Sequence, residues 1–248
     1  MIEIKDIAKA FNGKEVLKGI SGTFKQGEIN IVIGGSGTGK SVLLKCIIGL
    51  IKPDAGRVLY DGRDFYHSDA EMKQAIRREM GVLFQGGALF DSQTVLQNVR
   101  FPLDMLTNMS EAEKHERAEF CLERVGLAGT NDRMPSEISG GMKKRVGIAR
   151  AIVMNPKYLF CDEPNSGLDP LTAVKIDELI KEITDEYEIT TLIITHDMNS
   201  VMEIGQNVLF LHQGLKLWEG DNTSIAHSEV PEMNEFIFAN KLLRDAAQ

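Results

Sequence analysis

Residues Gly34–Ser41 read GGSGTGKS and follow directly on the apolar run Ile29–Ile33. The residues after this stretch, Ser41–Ile51, are mostly apolar, which predicts a buried helix. A strand that passes through a glycine-rich turn into a helix is the setting that a phosphate-binding loop requires. The stretch therefore predicts an α/β fold with a nucleotide phosphate at the start of the helix.

Each residue type in this loop has a part in holding phosphate. Glycines let backbone N–H groups converge on phosphate oxygens, because no Cβ stands in the way. Lys40 supplies a positive charge for the β- and γ-phosphates, and the Ser41 hydroxyl can ligate Mg²⁺. The predicted phosphate-binding residues are Gly34, Gly35, Ser36, Gly37, Thr38, Gly39, Lys40 and Ser41.

Strand and helix patterns alternate along most of the chain. Strands are predicted at Ile2–Ile7, Gly22–Phe24, Ile29–Ile33, Met80–Phe84, Tyr158–Asp162, Thr191–Thr195 and Val208–His212. Helices are predicted at Ser41–Ile51, Met72–Arg78 and Leu171–Tyr187. From about Gly86 to Ile138 helical patterns replace strand patterns, and Ser110 with Glu113 makes a capping box there. The alternation indicates a mainly parallel sheet covered on both faces and interrupted by a helical insertion.

The predicted organisation is a single domain over residues 1–225 with a helical subdomain at about 86–150 inserted in the α/β core. Residues 226–248 form a helical tail, with an amphipathic helix predicted at Ser228–Gln248. Near-helical spacing relates Met233, Phe236, Ile237, Leu242 and Leu243. This apolar face packs on the protein's own core or on a neighbouring subunit, and we favour its own core.

Composition excludes several classes of protein. Of 248 residues, 43% are hydrophobic and 26% are charged, as in an ordinary globular protein. No apolar run approaches the roughly 18 residues that a membrane span needs, so we expect membrane contact through a partner. The net charge of −8 argues against nucleic acid as a partner. Cys46, Cys121 and Cys161 lack CxxC spacing, which predicts core thiols of a reducing cytosol and neither a zinc site nor a disulfide.

An apolar strand, Tyr158–Asp162, leads into two adjacent carboxylates, Asp162 and Glu163. Adjacent side chains on a strand point in opposite directions, so the two acids have different tasks unless the strand has ended. We predict that Asp162 holds Mg²⁺ through water, helped by Ser41, and that Glu163 polarises the attacking water. By itself such a strand end is commonly a solvated terminus, and the phosphate-binding loop favours the chemical interpretation.

His196 and Gln85 also follow predicted strands. His196 comes after Thr191–Thr195, at the sheet edge where ligands collect in open α/β folds, and its ring N–H could hold the γ-phosphate. On pattern alone, a capping or surface histidine is an equally good interpretation. Gln85 comes after Met80–Phe84, where its amide could reach Mg²⁺ or the attacking water, although a loop glutamine is the simpler interpretation.

Two further motifs complete a resemblance. Residues 138–151 read ISGGMKKRVGIARA, and residues 162–169 read DEPNSGLD. Together with the phosphate-binding loop and in this order, they resemble the ATP-binding subunit of an ABC transporter over nearly the whole chain, to about residue 225. The first resembles the signature sequence of that family, with Arg145 and Arg150 at the expected spacing. The second resembles the Walker B end and D-loop, with Asp169 as the D-loop acid.

The resemblance implies a P-loop NTPase fold with an N-terminal antiparallel β part, and ATP and Mg²⁺ as ligands. Phe11 would stack on adenine with Val16 nearby, and such a stack is worth roughly 1–3 kcal/mol. Two subunits would pair head to tail, with the loop of one facing the signature of the other across each ATP. The residues implied across that interface are Ser139, Gly140, Gly141 and Asp169. Those implied in catalysis are Lys40, Glu163 and His196, and those implied at Mg²⁺ are Ser41, Gln85 and Asp162.

Two positions depart from the family pattern. Met142 replaces the glutamine usual at the end of the signature, which removes one side-chain hydrogen bond from that turn. We expect activity to survive, because Ser139 and backbone N–H groups make the main phosphate contacts. Asn165 stands where threonine is common, and the change is conservative.

A finer resemblance concerns cargo. The stretch FQGGALFDSQTVLQNVRFPL, residues 84–103, together with Met142, resembles the ATPases of bacterial MCE-type (Mla-type) phospholipid transport systems. This implies a homodimer on the cytoplasmic face of the inner membrane, with permease subunits and an MCE-domain lipid-binding protein as partners. A coupling helix of the permease would dock after Gln85, on groove residues that would include Leu89, Phe90, Val95 and Phe101. Core packing of the helical part is the alternative for these side chains.

Other functions remain open at this stage. The cargo could be a lipoprotein, an amino acid or a drug, or the partner a cell-division complex. ABC-type machines that act on DNA or ribosomes usually carry coiled-coil insertions or tandem ATPase halves, and this chain has neither pattern. A regulatory module without hydrolysis is disfavoured by Lys40, Asp162, Glu163 and His196.

Overall fold

The structure is a computed structural model and describes residues 1–238. Its strands are β1 (Ile2–Phe11), β2 (Lys14–Phe24), β3 (Ile29–Ile33), β4 (Ala55–Tyr60), β5 (Arg63–Asp64), β6 (Met80–Leu83), β7 (Tyr158–Asp162), β8 (Thr190–Thr195), β9 (Asn207–His212) and β10 (Leu215–Gly220). Its α-helices are α1 (Lys40–Ile47), α2 (Ala70–Arg78), α3 (Val95–Leu106), α4 (Glu111–Arg124), α5 (Gly140–Ile152), α6 (Pro170–Tyr187), α7 (Met198–Ile204) and α8 (Pro231–Phe238). Single 3₁₀ turns lie at Pro135–Glu137 and Ile225–His227.

The described chain forms two compact units. The first contains residues up to Lys73 and the chain from Thr190 onward, and the second contains Gln74–Ile189. The boundary between them falls inside α2, and the first unit combines two separate stretches of chain whereas the second is continuous.

An antiparallel sheet in the order β2-β1-β4-β5 lies in the first unit. A two-residue turn, Asn12-Gly13, joins β1 to β2, with φ of 49° at Asn12 and 80° at Gly13. Positive φ at both turn residues suits the right-handed twist of a hairpin, and Asn-Gly tolerates it best. The hairpin extends both strands beyond their predicted lengths, since β1 reaches Phe11 and β2 begins at Lys14.

Strand β3 lies at the centre of the remaining strands of the first unit, which follow the order β10-β9-β3-β8. It pairs in parallel with β8 and with β9, while β10 is antiparallel to β9. All five residues of β3 are buried. A fully buried run that is apolar except for Asn30 is typical of a central parallel strand, so the predicted parallel sheet is confirmed.

Helix α1 ends four residues earlier than predicted, at Ile47 rather than Ile51. Gly49 adopts φ of 77°, and the N–H of Leu50 donates to the Lys45 carbonyl at 2.9 Å while the N–H of Gly49 donates to the Cys46 carbonyl at 3.3 Å. This is a Schellman end, which glycine makes accessible. A Cβ at Gly49 would also overlap the Phe65 ring, so the chain must turn there.

Strands β6 and β7 run parallel in the second unit, and the chain between them folds into α3, α4, the 3₁₀ turn and α5. Helix α4 begins at the predicted capping box, in which the Ser110 hydroxyl accepts from the Glu113 N–H and the Glu113 carboxylate accepts from the Ser110 N–H. An equivalent box opens α3 at Thr94 with Gln97. Local capping therefore fixes where each helix of the insertion starts.

Helix α5 packs directly on β6. A Cβ at Gly147 would lie 2.6 Å from Cδ1 of Leu83, and a Cβ at Gly81 would overlap the carbonyl of Ala151. Only glycine permits this approach on both elements. The contact fixes the position of α5 within its unit.

The C-terminal helix α8 packs on the first unit. Met233 is fully buried, Ile237 is 4% exposed, and the ring of Phe236 lies 5.6 Å from that of Phe210 on β9. Packing on the protein's own core is therefore confirmed for these three residues, while Leu242 and Leu243 lie outside the described residues. None of the helices in residues 1–238 is long and apolar enough to cross a membrane. The three cysteines are buried free thiols, and burial raises the pKa of Cys46 and of Cys121 to about 11.

Candidate active site

The glycine-rich loop of the first unit is tightly held by its neighbours. A Cβ at Gly34 would overlap the Leu211 carbonyl, and a Cβ at Gly39 would lie 3.0 Å from the Val16 carbonyl oxygen. The N–H of Gly214 donates to the Thr38 carbonyl at 3.1 Å. The loop conformation thus depends on glycine at both of its ends.

Lys40 is the first residue of α1 and is only 7% exposed. Its ammonium donates to the carbonyls of Gly34 at 2.7 Å and Gly35 at 2.9 Å, which places the charge over the loop. Gly39 caps α1 without a side-chain hydrogen bond. The first N–H groups of a helix have no intrahelical partner, so the loop combines backbone donors, the helix dipole and an ammonium, as an anion site requires.

Phe11 and Val16 lie on the β1–β2 hairpin of the same unit. Val16 lies beside Gly39 of the loop, since a Cβ at Gly39 would be 3.5 Å from its Cγ1, and its place near adenine stays a prediction. Phe11 ends β1 with 42% of its surface exposed, and the Lys9 ammonium lies 5.4 Å from its ring centroid. An exposed ring at a strand end is available for stacking.

His196 lies at the same sheet edge as the loop. In the parallel pairing of β3 with β8, Ile33 stands opposite Thr195, so Gly34 and His196 each follow the last residue of adjacent strands. His196 is exposed, and Asp197 after it caps α7. The structure therefore brings this predicted residue to the carboxyl-terminal edge where the loop begins.

The acidic pair of the second unit stands in two different environments. Asp162 ends β7 and is 8% exposed, whereas Glu163 is half-buried. Glu163 has φ of 50°, so the strand has ended before it and its side chain no longer follows the strand alternation. The strand alternation therefore does not apply to this pair, and the separate tasks of the two carboxylates stay a prediction.

A short hydrogen-bond network surrounds Glu163. Its carbonyl accepts from the N–H of Ser166 at 3.2 Å and from the ammonium of Lys144 at 3.1 Å. The Gln85 amide donates to the Ser166 hydroxyl at 3.4 Å. Gln85, the D-loop and the acidic strand end are thus joined inside one unit.

Lys144 of α5 is a residue that the motif analysis missed. It is 5% exposed, and burial lowers its pKa against the opposing effect of nearby acids that include Asp162 and Glu163. The available signal was its spacing, because Ile148 and Ala151 lie on the same face of α5 and both are buried.

The signature sequence forms the exposed start of α5. Ser139 is the N-cap and accepts from the N–H of Met142 at 3.3 Å, and both Ser139 and Gly140 are exposed. A Cβ at Gly141 would lie 2.6 Å from Cγ2 of Thr172. The helix start is therefore open to an anion on one side and closely packed on the other.

Asp169, the D-loop acid, caps α6. Its carboxylate accepts from the Thr172 N–H at 3.0 Å and from the Thr172 hydroxyl at 2.6 Å, and these hydrogen bonds lower its pKa. Since Thr172 also lies against Gly141, the D-loop and the signature are positioned by one side chain.

The second unit also carries an apolar groove of about 290 Å³. Its lining includes Phe84, Phe90, Phe101, Leu106, Arg77 and Arg78. Phe90 and Phe101 line it as predicted, with ring centroids 4.7 Å apart. The prediction for Val95 is wrong, because this side chain is fully buried in the core, and Leu89 does not line the groove. The partly exposed guanidinium of Arg150 donates to the carbonyls of Gly87 at 2.6 Å and Ala88 at 2.8 Å, which fixes the loop beside the groove.

Comparison with known families agrees with these motifs. Residues 17–166 match the family model described as "ABC transporter". The chain belongs to this family. As an ABC ATPase, it binds and hydrolyses ATP to power a transporter and works with membrane permease subunits.

Several curated relatives resemble this ABC ATPase over most of its length. The probable ribonucleotide transport ATP-binding protein mkl of Mycobacterium leprae is 37% identical and covers 97% of this chain and 70% of the relative. The chloroplastic protein TRIGALACTOSYLDIACYLGLYCEROL 3 of Arabidopsis thaliana is 38% identical, and the match covers 95% of this chain and 73% of the relative. The methionine import ATP-binding protein MetN of Caulobacter vibrioides is 42% identical, and the match covers 89% of this chain and 67% of the relative.

Solved structures share the fold of this ABC ATPase. The dimeric post-hydrolysis state of the ATP-binding cassette MJ0796, bound to ADP and Pi, gives a TM-score of 0.81 at 32% identity, over 90% of this chain and 99% of that one. The cbiO1 protein of Clostridium perfringens, part of the cbiONQ transporter complex, gives a TM-score of 0.85 at 30% identity. The match covers 100% of this chain and 98% of that one. The predicted fold, a P-loop ABC ATPase with parallel and antiparallel sheets, is thereby confirmed.

Proposed function

We propose that this ABC ATPase acts as a head-to-tail homodimer that closes on two ATP molecules. The exposed helix start at Ser139 and Gly140 carries the proposal, because it is a second anion-binding feature in a chain that already has a phosphate-binding loop. A symmetric pair lets the loop of one subunit and the signature of its partner meet across each nucleotide. The similar cassette MJ0796, described as dimeric and bound to ADP and Pi, supports this arrangement.

The proposed nucleotide contacts follow the residues described above. Phe11 stacks on adenine beside Val16, and Lys40 with the loop amides of Gly34–Ser41 holds the phosphates. Ser41, Gln85 and Asp162 offer a hydroxyl, an amide oxygen and a carboxylate, which are the oxygen donors that Mg²⁺ prefers. Mg²⁺ held by these residues would neutralise charge on the phosphates.

Hydrolysis is proposed to depend on two residues at strand ends. Glu163 orients and polarises the water that attacks the γ-phosphate, a contribution typically worth 10²–10⁴-fold. His196 donates its ring N–H to the γ-phosphate. ATP favours the closed dimer because both subunits bind it, and hydrolysis removes that bias, which alternates the permease between two states.

The apolar groove of the second unit is the proposed docking site for a permease helix. Phe90 is 40% exposed and Leu106 is 42% exposed, and both line the groove, so the groove presents a grouped apolar surface of the kind that marks an interaction site. Binding through a permease would hold the protein on the cytoplasmic face of a bacterial inner membrane.

Phospholipid is the proposed cargo, with an MCE-domain protein as a further partner. Support comes from the resemblance of residues 84–103 to MCE-type ATPases and from a relative named after a galactosylated diacylglycerol. Amino-acid import is the second candidate, because the similarity to the methionine import protein is 42% over most of the chain.

The dimer is tested with Glu163→Gln, which keeps the size of the side chain and removes its charge. The variant should form a stable dimer with MgATP in light scattering and hydrolyse ATP at least about 100-fold more slowly. Glu178→Gln, at an exposed position of α6, is the matched control and should behave like the parent. If Glu163→Gln stayed monomeric at saturating MgATP while the parent dimerised, the proposed closure would be wrong.

The cargo is tested by purifying the tagged protein from detergent-solubilised native membranes and identifying the proteins and lipids that accompany it. A permease with an MCE-domain protein and phospholipid supports the proposal. A permease with a different set of companions contradicts the phospholipid cargo and leaves the ATPase cycle intact.

A further inference from the structure

Lys144 occupies a position where a charged side chain is costly. It is 5% exposed on the inner face of α5, and removing an ammonium from water disfavours folding unless hydrogen bonds or opposite charges compensate. Its ammonium donates to the main-chain carbonyl of Glu163 at 3.1 Å. An apolar residue would fill this space without that cost, whereas Lys144 offsets part of it through this hydrogen bond.

The backbone of Glu163 needs such support. Its φ of 50° lies in the left-handed region, which is strained for a residue with a side chain unless its surroundings hold it there. Two donors converge on its carbonyl, the Ser166 N–H and the Lys144 ammonium. The Ser166 bond is local, whereas the Lys144 bond ties the strand end to a different element.

We infer that Lys144 is a positioning residue for hydrolysis, because it holds the Glu163 backbone in the conformation from which its carboxylate reaches the attacking water. The inference rests on the role proposed above for Glu163. Lys144 follows Ser139 by about 7 Å along α5, at about 1.5 Å per residue. The helix that presents the signature therefore also holds the residue that activates water.

The test replaces Lys144 in the full chain by methionine, which keeps the length of the side chain and removes its donors. The rate constant kcat for ATP hydrolysis should fall by about tenfold, a fraction of the full value of a positioned base. The dissociation constant for the fluorescent analogue TNP-ATP and dimer formation with MgATP should stay within about twofold. Lys144→Arg keeps a donor and should recover most of the rate.

The matched control is Lys181→Met, the same change at an exposed position of α6 outside the proposed site. It should leave kcat within about twofold of the parent. Thermal unfolding of each variant separates a loss of fold from a loss of rate. Parental kcat in Lys144→Met overturns the inference, and so does an equal loss of TNP-ATP affinity, rate and melting temperature.

A double variant separates positioning through Glu163 from any independent effect. If Lys144 acts through Glu163, Lys144→Met should cause no further loss in a Glu163→Gln background. A further tenfold loss there contradicts the inference. If Glu163→Gln itself hydrolyses ATP at the parental rate, the proposed role of Glu163 fails. If Glu163→Gln is inactive and Lys144→Met is fully active, the failure is confined to Lys144.

Discussion

Gly141→Ala tests whether the signature and the D-loop are joined through Thr172. The added Cβ would lie 2.6 Å from Cγ2 of Thr172, so that methyl group must move by roughly 0.8 Å to reach ordinary contact. Thr172 is not free to rotate away, because its hydroxyl donates to the Asp169 carboxylate at 2.6 Å. Relief of the overlap therefore weakens the cap of α6.

The magnitude follows from two opposing effects. An added methyl group that forces a side chain aside in a closely packed contact costs about 1–3 kcal/mol. Replacement of glycine by alanine returns about 0.4–1 kcal/mol by restricting the unfolded chain. We expect a net destabilisation of about 1–2 kcal/mol, which corresponds to a lower melting temperature by roughly 2–8 °C for a chain of this size.

The assay is equilibrium urea unfolding without nucleotide, so that stability is measured apart from dimer formation. Gly140→Ala is the matched control for stability, because a Cβ there would meet Leu168 at an ordinary 3.8 Å. Thr172→Ser removes the obstructing methyl group and keeps the hydroxyl, so the double variant Gly141→Ala/Thr172→Ser should recover most of the loss. Equal stability of the two alanine variants, or no rescue by Thr172→Ser, would refute the reasoning.

Two further predictions concern the nucleotide base and the D-loop cap. Phe11→Ala should weaken TNP-ATP binding by about 5- to 10-fold if its ring stacks on adenine. Phe120→Ala, at another exposed ring, should leave the affinity unchanged. Equal effects in titrations of the two variants would contradict the assignment. The Thr172 hydroxyl is the chief cause that lowers the folded-state pKa of Asp169 from the ordinary 3.8. The contribution of Asp169 to stability is therefore fully present above pH 3.8 and is lost as the pH falls through the lowered pKa. The stability difference between the parent and Asp169→Asn should therefore shrink in acid urea titrations, and a difference that grows below pH 3.8 would contradict this sign.

Strand positions were predictable where an apolar run ends in residues that cannot continue it. Ile29–Ile33 stops at a glycine and Tyr158–Asp162 stops at adjacent carboxylates, and both strands have the predicted bounds. Asn12-Gly13 was an available hairpin signal, and its use would have given the full lengths of β1 and β2. At the end of α1, apolar residues after Gly49 continued the helical pattern, although Gly49 itself turns the chain.

The candidate site shows a different limit. Glycine, acid and histidine motifs can be recognised in the sequence because their residue types and spacing carry the chemistry. The burial of a side chain cannot be predicted from sequence in the same way, since an apolar residue suits a groove and a core equally. Val95 is buried while Phe90 is exposed, and nothing in their residue types separates them. Lys144 was missed for the reverse reason, because a lysine in a basic stretch reads as a surface residue.

Helix α5 connects the main functional features of the second unit. Its first turn carries the signature, Lys144 near its middle holds Glu163, and Arg150 near its end holds the loop beside the groove. Ser139 and Arg150 are separated by about 16 Å of helix, at about 1.5 Å per residue. The close packing of Gly147 on Leu83 prevents the helix from sliding freely on β6. Arg150 and Ala151 of α5 line the groove, so a permease helix docked there, as proposed above, would contact the helix that presents the signature and holds the Glu163 backbone.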